Sequence, residues 1–208
     1  LRYLKKIFYN SVAELRIMKK FLMTAVLGMF ALAGFSQVKW DAKVGMNFSN
    51  MTKFDDTKAL PGFNLGVGMD YGFSENWSLQ SGLMISSKGY KVKDYAKVRP
   101  IYLDIPILAA YKFNISDNTK FVINAGPYLA FGLGGKVKYD GVDESDKVFG
   151  DDGWNRFDLG LQYGIGLELS DRYLINLTGQ NGFICPWDVD EGDKPKNMTF
   201  SIGVGYRF

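Results

Sequence analysis

Met198-Thr199-Phe200-Ser201-Ile202-Gly203-Val204-Gly205-Tyr206-Arg207-Phe208 decides how the rest of the chain is read. Met198, Phe200, Ile202, Val204, Tyr206 and Phe208 alternate with Thr199, Ser201, Gly203, Gly205 and Arg207. A period of two puts bulky apolar side chains on one face of a strand and small or polar ones on the other.

The same alternation recurs upstream over residues 40–48, 63–73, 77–86, 101–113, 121–131, 157–169 and 173–180, which makes eight segments with the last. Residues 157–169 carry it most regularly: Phe157, Leu159, Leu161, Tyr163, Ile165, Leu167 and Leu169 oppose Asp158, Gly160, Gln162, Gly164, Gly166 and Glu168. Pro106 interrupts the fourth segment; it has no N–H to give a ladder, so a bulge is expected there. Each segment is roughly ten residues, the length at which a tilted strand crosses a hydrocarbon core. An even number of such strands closes on itself and leaves no unpaired edge in lipid.

Alternation alone does not say which face is inside, because a soluble barrel of the lipocalin type alternates with its apolar face inward. Three features favour apolar side chains outward. The connections 74–76, 114–119 and 170–172 are short, whereas 49–60, 88–99, 132–153 and 181–196 are long. Short periplasmic turns and long extracellular loops are the pattern of an outer-membrane barrel. Aromatic residues fall at the strand ends, where amphipathic rings meet the two membrane–water interfaces. Trp40, Phe73, Trp77, Tyr111, Phe113, Phe121, Tyr173, Tyr206 and Phe208 lie on the short-turn side, and Phe48, Phe63, Phe131, Phe157, Phe183 and Phe200 on the long-loop side. The polar face, finally, is mostly Gly, Ser, Thr and Asn, which suits a crowded interior better than a water-facing wall. The expected fold is therefore an all-β, eight-stranded antiparallel up-and-down transmembrane barrel, with both termini in the periplasm.

Composition narrows the chemistry. The 208 residues include no His and one Cys. Imidazole-based hydrolysis, His-ligated zinc and an intrachain disulfide are thereby excluded. Residues 1–36 hold six Lys/Arg and one Glu, and the remainder holds 19 basic and 21 acidic residues. That balance gives a nucleic-acid partner no electrostatic support. Met18-Lys19-Lys20, the apolar run 21–32 and the small residues before Gln37 read as a secretory signal peptide over 18–36. Residues 1–17 read as a misassigned start, and 37–208 as the barrel domain.

The segments Tyr102-Leu103-Asp104-Ile105-Pro106 and Ala125-Gly126-Pro127-Tyr128, with Phe35-Ser36-Gln37 and the terminal Gly205-Tyr206-Arg207-Phe208, carry a resemblance across the mature chain. It resembles the outer-membrane β-barrel family that includes PorT-like proteins and small OmpA/OmpX-type porin-family barrels. The resemblance implies that the barrel-assembly machinery reads Phe208 as an insertion signal.

An eight-stranded barrel is just wide enough for side chains to fill it. Asp41, Lys43, Asp70, Asp104, Asp158, Glu168 and Arg207 are expected in the lumen, paired or hydrated, because isolated burial of charge costs several kcal/mol. Two readings remain open: a polar plug of ion pairs, or a narrow cation-preferring pore with carboxylate constrictions. Acidic side chains in the loops (Asp140, Asp143, Glu144, Asp146, Asp151, Asp152, then Asp188, Asp190, Glu191, Asp193) match no calcium-loop spacing and are expected to be solvated. No catalytic residue, metal or cofactor is expected. The functions in view are a scaffold displaying surface loops and, alternatively, a small diffusion channel. Partners would be outer-membrane lipid and lipopolysaccharide, the assembly machinery, and an envelope or host surface.

Overall fold

The period-two alternation becomes ten strands among the described residues: β1 (Val38–Thr52), β2 (Thr57–Gly72), β3 (Trp77–Ser87), β4 (Tyr90–Val92), β5 (Ala96–Ser116), β6 (Thr119–Tyr139), β7 (Ser145–Lys147), β8 (Phe157–Leu169), β9 (Tyr173–Gly182) and β10 (Lys196–Arg207). The computed structural model describes residues 20, 38–53, 56–93, 95–141, 145–149, 154–187 and 194–208. The expected start and signal segments, apart from Lys20, lie outside the described residues. So do Asp143, Glu144, Asp151, Asp152, Asp188, Asp190, Glu191 and Asp193 of the acidic loops. Among the described residues no helix is long and apolar enough to cross a membrane, which says nothing of strands.

Eight strands close a ring inside the unit Lys39–Phe208. β1 pairs with β10 from Asp41↔Arg207 to Thr52↔Lys196, the strands run antiparallel from there through β9, β8, β6, β5, β3 and β2, and β2 lies beside β1 to complete the ring. Closure carries the last residue with it, because the Phe208 N–H donates to the Trp40 carbonyl at 3.0 Å. The turn after β8 is three residues long, 170–172, and its first two, Ser170 and Asp171, are left-handed at φ 51° and 55°. Two positive φ values match the right-handed twist of a hairpin.

The apolar face points outward. Phe63, Leu161 and Ile202 are 44%, 42% and 47% exposed, whereas Asp41, Asp70, Asp104, Asp158 and Arg207 are buried. Outward residues also meet each other across the seam, as in Val44↔Val204, Met46↔Ile202 and Phe48↔Phe200. This is the reverse of a soluble globule, and it is what hydrocarbon solvation of the wall demands.

Two expectations need correction. Pro106 makes no bulge: Ile105↔Leu129, Pro106↔Tyr128 and Ala109↔Ala125 keep one register, although the pairs between them are lost. The Pro106 carbonyl accepts from Ser81 Oγ at 2.7 Å, so a side chain helps hold β3 there. The register instead slips between Ile101/Tyr102 and between Asn114/Ser116, leaving Leu133 and Ile115 as the extra residues. Both are exposed, as a bulge residue turned out of the wall should be.

Three of the expected long loops, 49–60, 88–99 and 132–153, also contain strand. β5 and β6 are 21 residues each, well beyond the roughly ten that cross a bilayer. Their far ends form an extension in which β2, β4, β5, β6 and β7 lie side by side. Periodicity misses it because the Leu133 bulge reverses which alternate residues of β6 face inward, breaking the pattern where the strand leaves the wall.

Candidate functional site

Among the described residues, the buried charges Asp41, Asp70, Lys88, Asp104, Asp158, Glu168 and Arg207 gather in the lumen. Its residues come from the inward positions of all eight ring strands, and the glycines among them leave room for long side chains. A Cβ on Gly160, for example, would stand 2.6 Å from the Tyr128 ring.

At the short-turn end three carboxylates and three cations meet. Arg207 on β10 donates to Glu168 on β8 through two bonds of 2.8 and 2.9 Å, and to Asp70 on β2 at 3.3 Å. Lys112 on β5 joins the same pair, 2.6 Å from Asp70 and 3.2 Å from Glu168. Lys43 lies 3.3 Å from Asp41. The fork of Arg207 suits a bidentate carboxylate, and the second cation completes neutrality. Arg207 and Lys112 therefore brace strands that are not neighbours in the ring.

Above this cluster the lumen is lined by neutral amides. Asn64 donates to Asn47, Asn124 to Gln80, and Gln180 to Gln162, at 2.5, 2.9 and 2.8 Å. Gln80 continues to Asp70 at 3.0 Å. A cavity of about 100 Å³ lies among them. That is room for a few water molecules.

Nearer the long-loop end sits a second charged group. Lys88 is 2% exposed and its Nζ lies 2.9 Å from Asp104 Oδ1, out of line for a hydrogen bond. The ammonium is also 4.7 and 5.3 Å from the ring centres of Tyr128 and Tyr102. A desolvated cation over two rings is held by their negative faces as well as by the carboxylate. Asp158 accepts from Tyr128 Oη at 3.1 Å and from Asn197 Nδ2 at 3.0 Å.

An apolar lid closes over that group. Met51, Tyr90, Val98, Val148 and Phe149 are buried together with Tyr102 and Tyr128, and Trp154 and Trp187 pack against them. Phe149 stands edge-on to Tyr102 with centroids 5.5 Å apart. Arg156 fixes it, donating to the Phe149 carbonyl at 3.3 Å and to the Gly132 carbonyl at 2.9 Å, with its guanidinium over the Phe149 ring. Gly132 is required there, since a Cβ would enter the Phe149 ring.

The residues expected in the lumen thus fall into two separated groups: Asp41, Lys43, Asp70, Glu168 and Arg207 at one end, Asp104 and Asp158 at the other. Lys88 and Lys112 were not anticipated. Both extend inward series already visible in the sequence: Ser86 is followed two residues later by Lys88, and Ala110 by Lys112. The lid had no such signal, because Val148, Phe149, Trp154 and Trp187 lie between strands.

The short-turn aromatics form a belt. Trp77 meets Tyr111 at 5.0 Å, Tyr111 meets Phe113 at 4.6 Å, and Tyr173 meets Tyr206 at 5.7 Å. Phe73 and Phe208 are exposed beside it, and Trp40 is half-buried. No group of three or more potential metal ligands occurs among the described residues.

Comparison with known proteins gives the setting. The family model described as "Outer membrane protein beta-barrel domain" matches residues 31–184. Among solved structures, the chain is similar to Ail, the attachment invasion locus protein of Yersinia pestis, at 20% identity over 83% of this chain and 99% of that one, with a TM-score of 0.45. It is similar to OprG from Pseudomonas aeruginosa at 17% identity over 82% and 95%, TM-score 0.44. It is also similar to the outer membrane enzyme PagL at 12% identity over 78% and 97%, TM-score 0.45. No curated protein matches the chain.

Proposed function

This chain belongs to the outer membrane protein beta-barrel domain family, and we propose that within it the protein is a closed scaffold that carries an ordered sheet and loops beyond the membrane. The observation that carries this reading is the double closure of the lumen. A neutral ion cluster fills one end, and buried Lys88 lies beneath the Phe149 lid at the other. An ion moving through would have to separate the pairs at both levels, each at a cost of several kcal/mol.

The short-turn end and both termini face the periplasm, and the β5–β6 extension faces outward. Phe208, exposed beside the aromatic belt, is the residue offered to the assembly machinery. The protein is not an enzyme on this reading, which the burial of Lys88, Asp104 and Tyr128 among the described residues supports.

Single-protein recordings in planar bilayers test the proposal. The folded barrel is expected to be silent. Discrete cation-selective steps that vanish in Asp104→Asn would overturn the scaffold reading and establish a narrow diffusion channel instead.

A further inference from the structure

The extension carries basic side chains in direct cross-strand register. Lys58 of β2 faces Lys91 of β4, Lys91 faces Lys97 of β5, and Lys97 faces Lys138 of β6. Arg99 of β5 faces Lys136 of β6, which faces Lys147 of β7. Residues directly opposite share a face, with Cβ atoms about 5 Å apart, and like charges placed so repel. Five such pairs in one patch oppose the fold unless something anionic covers them.

The described residues supply little of that. Among the described residues one carboxylate meets the patch: Asp140, 3.3 Å from Lys97 and 3.9 Å from Lys91. Asp146 lies opposite Val137, on the other face, and accepts from Tyr139. Arg99 spends one N–H on the Pro61 carbonyl, which fixes its position without neutralising it.

The height of the patch identifies what covers it. Inward positions of β4 and β5, Tyr90, Ala96 and Val98, are buried in the lid or beside it, so the lysines and Arg99 occupy the outer, wall-side face. Two residues nearer the bilayer along β5 is Ile101, and then Leu103, opposite Phe131. Phe131 packs on Phe157 at 5.3 Å in the aromatic ring of that end. The basic ladder is therefore the first charged layer beyond the apolar band, facing sideways along the membrane surface.

We propose that this ladder binds the phosphate-bearing headgroups of lipids in the adjoining leaflet, a phosphorylated glycolipid being the class that fits several phosphates spread over neighbouring strands. Phosphate oxygens accept from several Lys and Arg donors at once, and a lipid anchored beside the wall presents them at this height. The inference rests on the outward apolar band facing lipid. It holds whether or not the lumen conducts.

The test uses the folded full chain in neutral detergent and reads lipid retention by native mass spectrometry. The probes are a bis-phosphorylated glycolipid, the same glycolipid dephosphorylated, inorganic phosphate, and a poly-glutamate peptide. The bis-phosphorylated lipid should be retained selectively, with affinity falling as salt rises. Each basic side chain near a membrane surface contributes roughly a fivefold change in affinity. The variant K97Q/R99Q/K136Q/K138Q should then lose at least about a hundredfold, while K120Q, at the opposite end, should lose nothing. The four substitutions remove like-charge pairs, so folding should be preserved. If that variant fails to fold, the salt dependence and the dephosphorylated probe on the natural chain decide alone. Equal retention of the dephosphorylated lipid, full binding by the folded variant, equal response to inorganic phosphate, or preference for the acidic peptide would each overturn the proposal.

Discussion

Arg207→Met removes the centre of the short-turn ion cluster and leaves most of the side-chain volume. In the natural protein Asp41, Asp70 and Glu168 are balanced by Lys43, Lys112 and Arg207. The variant has one uncompensated negative charge in a closed space. Glu168 loses both of its short bonds, and Lys112 must serve two carboxylates alone. Breaking a buried pair from one side costs about 3–5 kcal/mol, mostly through the charge left behind. The expected loss is near the lower figure, because Lys112 still touches both acids. Adding Glu168→Gln restores neutrality and should recover about 2 kcal/mol, a coupling of the size seen between residues in one network. Urea unfolding of the refolded barrel, followed by tryptophan fluorescence, measures both, with an unchanged denaturant slope as the control for compactness. If Arg207→Met costs less than about 1 kcal/mol, or if the two substitutions simply add, the cluster is not the brace described above.

Other outcomes follow from the wall, the lid and the turn. Ile202→Lys places a charge on the outward face between Met46 and Leu177 and should cost about 2–4 kcal/mol in a bilayer if that position lies near the midplane; equal stability in lipid would mean the face does not meet hydrocarbon. Gly132→Val should expel Phe149 from the lid, lower stability by about 1–3 kcal/mol and red-shift the emission of Trp154 and Trp187, which pack there. An unshifted spectrum would show that the ring is not held by that contact. In the turn after β8, the hydrogen bond from Lys120 at 2.9 Å holds the Asp171 carboxyl below the ordinary carboxylate range. A carboxyl depressed in the folded state stabilises at pH above its unfolded pKa, and the gain disappears as pH falls through the folded value. Since the Asp171 side chain is 58% exposed, the effect should stay below about 1 kcal/mol. Asp171→Asn should flatten that part of the stability–pH curve, and an unchanged curve would remove the turn from the account.

The wall was legible in the sequence because it is built by a repeating local rule. Phe157 to Leu169 alternates without a break, and the strand found there begins and ends on those two residues. The rule also reached Asp158 and Glu168, which fall on the inward positions of that strand, and it extended to Lys88 and Lys112 had the count been carried two residues further. It failed where position along a strand stops determining direction. The bulge at Leu133 reversed the inward series of β6 and hid the extension.

By itself, then, the sequence determined an eight-membered, outward-apolar barrel, since side-chain direction in a strand depends only on parity and the choice of face follows from which solvent each face must meet. Only the tertiary structure decided which charges meet. Arg207 reaches Glu168 over an intervening strand, Lys88 finds Asp104 beneath two tyrosines, and Phe149 folds back to close the mouth above them. Those contacts depend on curvature, on the radius at which the ring closes, and on the stagger between distant strands. No alternation along the chain encodes these directly, because they arise when all eight strands are hydrogen-bonded at once.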